Sequence, residues 1–93
     1  MLALIPFPEQ FTIEAHAQAA TVHLHGDLTV AGALRALDAC RTLPMRVRTL
    51  VVDLRGVTAI DAQGLTTLHH LLRRWRDGRG GTIRVLPPVR RAA

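Results

Sequence analysis

The stretch with most potential for chemistry runs from an apolar strand at 50–54 into a helix whose first turn begins at Asp61. The start of a helix leaves backbone N–H groups unpaired and carries a partial positive charge. Such a position suits an anion, a phosphate or the carboxylate of a partner protein. We predict that Asp61 caps this helix and that Ala62, Gln63 and Gly64 form part of a partner-binding surface.

The histidines and the cysteine are weaker candidates for chemistry. His23 and His25 are two apart on one predicted strand and share a face, but a metal site needs three or more converging ligands. We therefore predict solvated histidines on an exposed sheet face, and no metal site. Cys40 falls on an apolar helix stripe, which predicts a buried small hydrophobe and not a nucleophile.

Motifs of catalysis are absent from the sequence. It contains no nucleophile with an adjacent base, no glycine-rich phosphate loop and no paired carboxylates at a plausible spacing. We predict that the protein is not an enzyme and needs no cofactor.

Charge and composition narrow the choice of partners. The chain has 12 basic and 7 acidic side chains, a net charge of +5. A positive field attracts nucleic acid or an acidic protein, but the arginines are scattered and lack interleaved aromatic residues, which disfavours nucleic acid. The single cysteine, the lack of a signal-peptide pattern and the lack of a membrane-spanning run predict a cytoplasmic protein that does not contact a membrane.

The periodicity of apolar residues predicts the elements that position these side chains. Alternation indicates strands, spacings of three and four indicate helices, and Pro44 and the glycine-rich 77–81 end the two helices. The predicted order is strand, strand, helix, strand, helix and strand, at 11–15, 21–25, 30–43, 49–54, 62–76 and 82–86. This order predicts an α/β (α+β mixed) fold, a small four-stranded mixed sheet with both helices on one face.

Each predicted helix has a buried stripe and a wet side. The stripe of the first helix consists of Val30, Ala33, Leu34, Leu37 and Cys40, and that of the second of Leu65, Leu68, Leu71, Leu72 and Trp75. The wet side and carboxyl end of the second helix carry Arg73, Arg74, Arg76 and Arg79. Cations there complement the helix dipole, and an acidic partner or RNA is the alternative interpretation.

Several motifs occur in an order that resembles a known family. They are Gly26-Asp27-Leu28, Val51-Val52-Asp53-Leu54, the run Val57-Thr58-Ala59-Ile60-Asp61 leading to Gly64-Leu65, and Gly81-Thr82-Ile83-Arg84-Val85 followed by two prolines. Together they resemble the STAS domain family of sulfate transporters and bacterial anti-sigma factor antagonists. The resemblance implies a STAS-like fold that stops after the last shared strand, with 1–10 as an N-terminal extension and 11–93 as a single domain.

The small members of that family are switch proteins. Unphosphorylated, they bind a serine kinase that also acts as an anti-sigma factor, and phosphorylation of a serine ends the binding. The resemblance implies such a partner here, with contacts around Asp27 and Asp61. This chain has Ala62 at the phosphoacceptor position, so no phosphorylation is expected there, and Thr29 where switch proteins often carry an aspartate.

Two functions remain open from the sequence. The first is an anti-sigma factor antagonist-like binding module that docks through 27–30 and 61–65 and is permanently unphosphorylated. The second is a structural or sensor-complex subunit that uses the same fold for assembly. Because family members usually continue through another helix after Pro87 and Pro88, a partly bare sheet is expected, and with it the option of a homo-oligomer.

Overall fold

The computed structural model describes residues 11–89; the predicted extension 1–10 and the last predicted domain residues, 90–93, lie outside the described residues. The element order β-β-α-β-α-β is confirmed. The elements are β1 (Phe11–His16), β2 (Ala19–Leu28), α1 (Val30–Arg41), β3 (Thr49–Ile60), α2 (Ala62–Arg79) and β4 (Thr82–Leu86).

The four strands form one mixed sheet in the order β1-β2-β3-β4. β1 pairs antiparallel with β2, whereas β2 with β3 and β3 with β4 pair in parallel across the two helical crossovers. Alternate residues such as Val22 and Val52 are fully buried in the core shared with the helices, and their neighbours face the other side of the sheet. The predicted mixed sheet with helices on one face is therefore confirmed.

β3 and α2 are longer than the sequence predicts. β3 continues to Ile60 because it stays paired with β2 as far as Leu28. The register of this pairing shifts twice, between His23 and His25 and between Gly26 and Asp27. The predicted end of this strand at Leu54, before a connection to Asp61, is therefore wrong. α2 continues to Arg79, because the helix accommodates Gly78 and ends only where Gly80 adopts a left-handed conformation with φ of 62°.

The buried face of α1 differs from the predicted apolar stripe at Leu34. Its buried residues include Ala33, Leu37 and Cys40, but Leu34 is 49% exposed. Successive residues of a helix are about 100° apart around its axis. Because Ala33, Leu37 and Cys40 lie on the buried face of α1, Leu34 is rotated away from that face toward solvent. The predicted burial of Leu34 is wrong.

Arg79 is buried, whereas the sequence predicts it among the solvent-exposed arginines of the second helix and its carboxyl end. Its guanidinium is buried and donates four hydrogen bonds of 2.7–3.3 Å, to backbone carbonyls of Arg41, Leu43, Pro44 and Val47. It also lies 4.8 Å from the ring centroid of Trp75. The side chain thus satisfies carbonyls at the end of α1 and in the loop that follows, where helices leave such groups unpaired.

Candidate functional site

The start of α2 has the predicted capped geometry. Asp61 is the N-cap residue, and its carboxylate accepts a hydrogen bond of 3.0 Å from the N–H of Gln63. Asp61, Ala62 and Gln63 are exposed, so the first turn presents its surface outward. This is the expected arrangement of a helix start that is open to a partner.

The start of α1 is capped in the same way by Thr29. Its hydroxyl accepts a hydrogen bond of 3.0 Å from the N–H of Gly32. Thr29 is half-buried and Asp27, two residues earlier, is exposed. The hydroxyl satisfies an orphan donor of the helix but brings no charge, so Asp27 supplies the negative charge on this side.

Direct backbone contact joins the two helix starts. The N–H of Asp61 donates to the carbonyl of Leu28 at 3.0 Å. Gly64 lies so close that a Cβ there would come within 2.7 Å of the Leu28 carbonyl oxygen and 2.9 Å of the Thr29 Cα. A glycine at position 64 therefore allows α2 to begin directly beside α1.

We call the resulting outer surface the junction surface and define it by Asp27, Thr29, Asp61, Ala62 and Gln63. All five are exposed or half-buried, and Gly64 is buried beneath them against the chain's own backbone. Two helix starts and two exposed carboxylates share this surface, which gives it both hydrogen-bond donors and negative charge. Such a surface is suited to recognition of a protein with mixed polarity.

Hydroxyl groups near position 62 do not replace the missing serine. The hydroxyl of Thr66 donates to the carbonyl of Ala62 at 3.0 Å, one turn further into the helix. Thr67 is half-buried. Because Ala62 has only a methyl group, position 62 offers no oxygen that could attack a phosphate.

A charged network on the open face of the sheet was missed by the sequence analysis. His23 bonds to Asp53 through Nδ1 at 2.8 Å and to Glu14 through Nε2 at 2.7 Å. Arg55 donates to Asp53 through its backbone N–H at 3.0 Å and through Nε at 2.9 Å. His23 is thus paired and not solvated as predicted. The lone aspartate within an apolar strand was the available signal.

The network shifts the pKa values of two of its members. Hydrogen bonds from Arg55 hold the pKa of Asp53 well below its ordinary value of 3.8, although burial acts in the opposite direction. The hydrogen bond to Asp53, and secondly the hydrogen bond to Glu14, raise the pKa of His23 above 6.5. The ionised forms of both groups are therefore favoured in the folded protein.

Cysteine chemistry and metal binding are the remaining candidates for function. Cys40 is buried as predicted, and burial raises the pKa of its thiol to about 11, which opposes thiolate chemistry. Among residues 11–89, no group of three or more metal-ligating side chains converges. No helix within that same part of the chain has the length and apolar character needed to cross a membrane.

Comparison with known proteins agrees with the fold. The family described as "Mlab, STAS domain" matches residues 11–92. No curated protein gives a significant match in sequence. Among solved structures, the anti-sigma factor antagonist SpoIIAA in its unphosphorylated form superposes with a TM-score of 0.67 at 17% identity, covering 85% of this chain and 70% of that one.

Two further structures extend this comparison. An antisigma-factor antagonist STAS domain from Rhodobacter sphaeroides superposes with a TM-score of 0.64 at 15% identity, over 82% of this chain and 83% of that one. Mglu superposes with a TM-score of 0.74 at 30% identity, over 87% of this chain but only 20% of its own. This chain therefore spans about a fifth of the length of that larger protein. With 11–92 matched and the fold shared, the chain belongs to the STAS domain family.

Proposed function

We propose that this chain is a protein-binding regulatory module of the anti-sigma factor antagonist type, with the junction surface as its docking site. The observation that carries the proposal is the contact of Gly64 with the backbone of Leu28 and Thr29, which sets two capped helix starts side by side. The partner is an anti-sigma factor or a serine kinase of the anti-sigma type. The fold shared with SpoIIAA supports this choice of partner class.

Regulation in this proposal differs from that of a phosphorylated switch. A phosphate adds about 1.5 to 2 negative charges at pH 7, and at a helix start it remodels a docking surface. Ala62 has no hydroxyl to receive it, so a partner kinase cannot release itself by modifying this position. Release then depends on the concentration of the chain, on competition or on proteolysis.

The test is calorimetric titration of the full chain with purified anti-sigma-type serine kinases from the same organism. We expect binding at micromolar concentration or below, and about a tenfold loss for Ala62→Asp, which adds a charge in the middle of the junction surface. Gln18→Glu is the matched control, because it adds the same charge at the turn between β1 and β2, at the opposite end of the strands.

Two results would reject the proposal. One is the absence of heat at micromolar concentration with every kinase of this class. The other is an equal effect of Ala62→Asp and Gln18→Glu, which would show that the contact lies elsewhere.

The alternative function, a structural or sensor-complex subunit, has one observation in its favour. Val85 pairs with fully buried Val52 on the helix side of the sheet, yet it is 43% exposed. An apolar side chain in this position is suited to burial in an assembly. Size-exclusion mass together with Gln63→Ala separates the two functions: a self-associating chain that ignores this substitution supports the assembly subunit.

A further inference from the structure

A groove runs between α1 and α2 on the side of the helices that faces away from the sheet. It has a volume of about 330 Å³ and is lined by Leu34, Leu37, Asp38, Arg41, Leu71, Arg74 and Trp75. Leu37 and Trp75 form its buried base, while Leu34 and Leu71 leave apolar surface open to solvent. The outward turn of Leu34 is therefore part of a continuous apolar feature and not an isolated exposed side chain.

Positive charge surrounds this apolar base. Arg41 and Arg74 lie on the rim, and within the described residues Arg74 has no carboxylate partner. Asp38 pairs with Arg41 at 3.5 Å, so these two charges cancel and Arg74 leaves the lining with a net positive charge. Both side chains of the pair are 77% exposed, so the pair is weak and Arg41 can exchange Asp38 for another carboxylate. On α1 and α2 together, the exposed arginines outnumber the aspartates by five to two. A field of this sign attracts acidic groups.

We propose that this groove is a second docking site, distinct from the junction surface, for an acidic amphipathic helix of a partner protein. A helix laid between two parallel helices presents apolar side chains at i, i+4 and i+7 to the groove. Leucine-sized side chains fit over Leu37 and Trp75, and flanking glutamates reach Arg41 on one rim and Arg74 on the other. Nucleic acid matches the charge but not the apolar base, because the ring of Trp75 is only 5% exposed and is not open to stacking.

Trp75, which lines the groove, provides a direct probe because it is the single tryptophan of the chain. Its indole N–H donates to the carbonyl of Cys40 and is thereby held in place. The experiment titrates the full chain with a helical peptide of about four turns that has leucines at i, i+4 and i+7 and glutamates on both flanks. The indole resonance of Trp75 is followed by NMR. We expect a saturable shift, and no shift with the same peptide in which lysine replaces glutamate.

Substitutions in the chain locate the site. Arg74→Glu is expected to weaken peptide binding about fivefold and Leu34→Glu about tenfold, while Gln18→Glu changes it less than twofold. Both groove positions are exposed, so circular dichroism should show the same fold in each variant. A tenfold loss with Ala62→Asp would instead move the site to the junction surface and overturn the proposal.

Three further results would also overturn it. They are equal binding of the acidic and basic peptides, a larger indole shift with a single-stranded RNA oligonucleotide than with the acidic peptide, and a chain that dimerises with loss of the dimer in Leu34→Glu. The last result would assign the groove to a second copy of the chain. None of these outcomes depends on the kinase titration, so the two proposals fail independently.

Discussion

At the scale of single residues, His23 shows how an open sheet face can hold a defined charge. Its two ring nitrogens contact carboxylates on neighbouring strands, Glu14 on β1 and Asp53 on β3. An imidazolium donates from both nitrogens, so this geometry favours the protonated ring. Arg55 completes the network by donating to both carboxylate oxygens of Asp53, through Nε to Oδ1 and through Nη2 to Oδ2.

The network predicts a pH dependence of stability with a definite sign. Because the folded-state pKa of His23 lies above 6.5, its contribution is fully present below about pH 6.5 and is lost as the pH rises through the folded-state pKa. Denaturation of the wild type and of His23→Gln from pH 5.5 to 9 should give a difference in unfolding free energy that shrinks with rising pH. His70→Gln, exposed on α2, is the matched control. A difference that grows with pH would contradict this account.

Arg79 gives a second prediction at this scale. Arg79→Met keeps an unbranched apolar stem but leaves the carbonyl of Leu43 without its side-chain donor and removes one of the two donors to the carbonyl of Pro44, at a cost of about 2 kcal/mol of unfolding free energy. Arg73→Met, on the exposed side of the same helix, should change it by less than about 0.5 kcal/mol. Equal effects in chemical denaturation would show that the buried hydrogen bonds contribute little.

These residues also mark the limit of sequence reasoning. The missing hydroxyl of Ala62 is a matter of chemical identity, so its consequence needs no coordinates. Asp53 lies 30 positions from His23, and Pro44 lies 35 positions from Arg79. Only the register of the strands and the end of α1 bring these pairs together. A pattern of local spacing carries no information on such contacts.

At the scale of elements, the close approach of α2 to the β2–α1 connection depends on Gly64. Gly64→Ala improves helix propensity by up to about 1 kcal/mol, yet its Cβ would meet the Leu28 carbonyl oxygen at 2.7 Å. The clash with backbone should outweigh that gain, giving a net loss of about 1 to 3 kcal/mol.

Gly78 is the matched control for this substitution. It lies in the same helix, and a Cβ there meets nothing within 4 Å. Gly78→Ala should therefore raise the unfolding free energy by up to about 1 kcal/mol. Thermal or chemical denaturation of both variants is the measurement, and stabilisation by Gly64→Ala would disprove the tight contact between the helix starts.

The order and type of all six elements could be predicted because apolar periodicity distinguishes strands from helices. The bounds of β4 were also predicted correctly, but the end of β3 could not be, since β3 is prolonged by pairing with β2, an interaction between distant segments. The outward position of Leu34 likewise results from how α1 packs on the sheet and on α2. The groove that Leu34 lines could therefore not be predicted from the sequence.

At the scale of the whole molecule, the two proposed surfaces use different physical means. The junction surface offers helix starts and carboxylates, whereas the groove offers apolar side chains between arginines. A single sheet holds both, because each crossover helix begins at the same end of the sheet and runs parallel to its neighbour. One small domain can in this way contact two partners, or two parts of one partner.

The central claim is that the paired helix starts bind a serine kinase of the anti-sigma type and lack a hydroxyl trigger. The most direct measurement incubates the kinase complex of the wild type, and that of Ala62→Ser, with magnesium and ATP while the bound fraction and the mass of the chain are followed. We predict that the wild type remains bound and unmodified, whereas Ala62→Ser gains one phosphate and dissociates. Equal release of both chains on addition of ATP would contradict the claim.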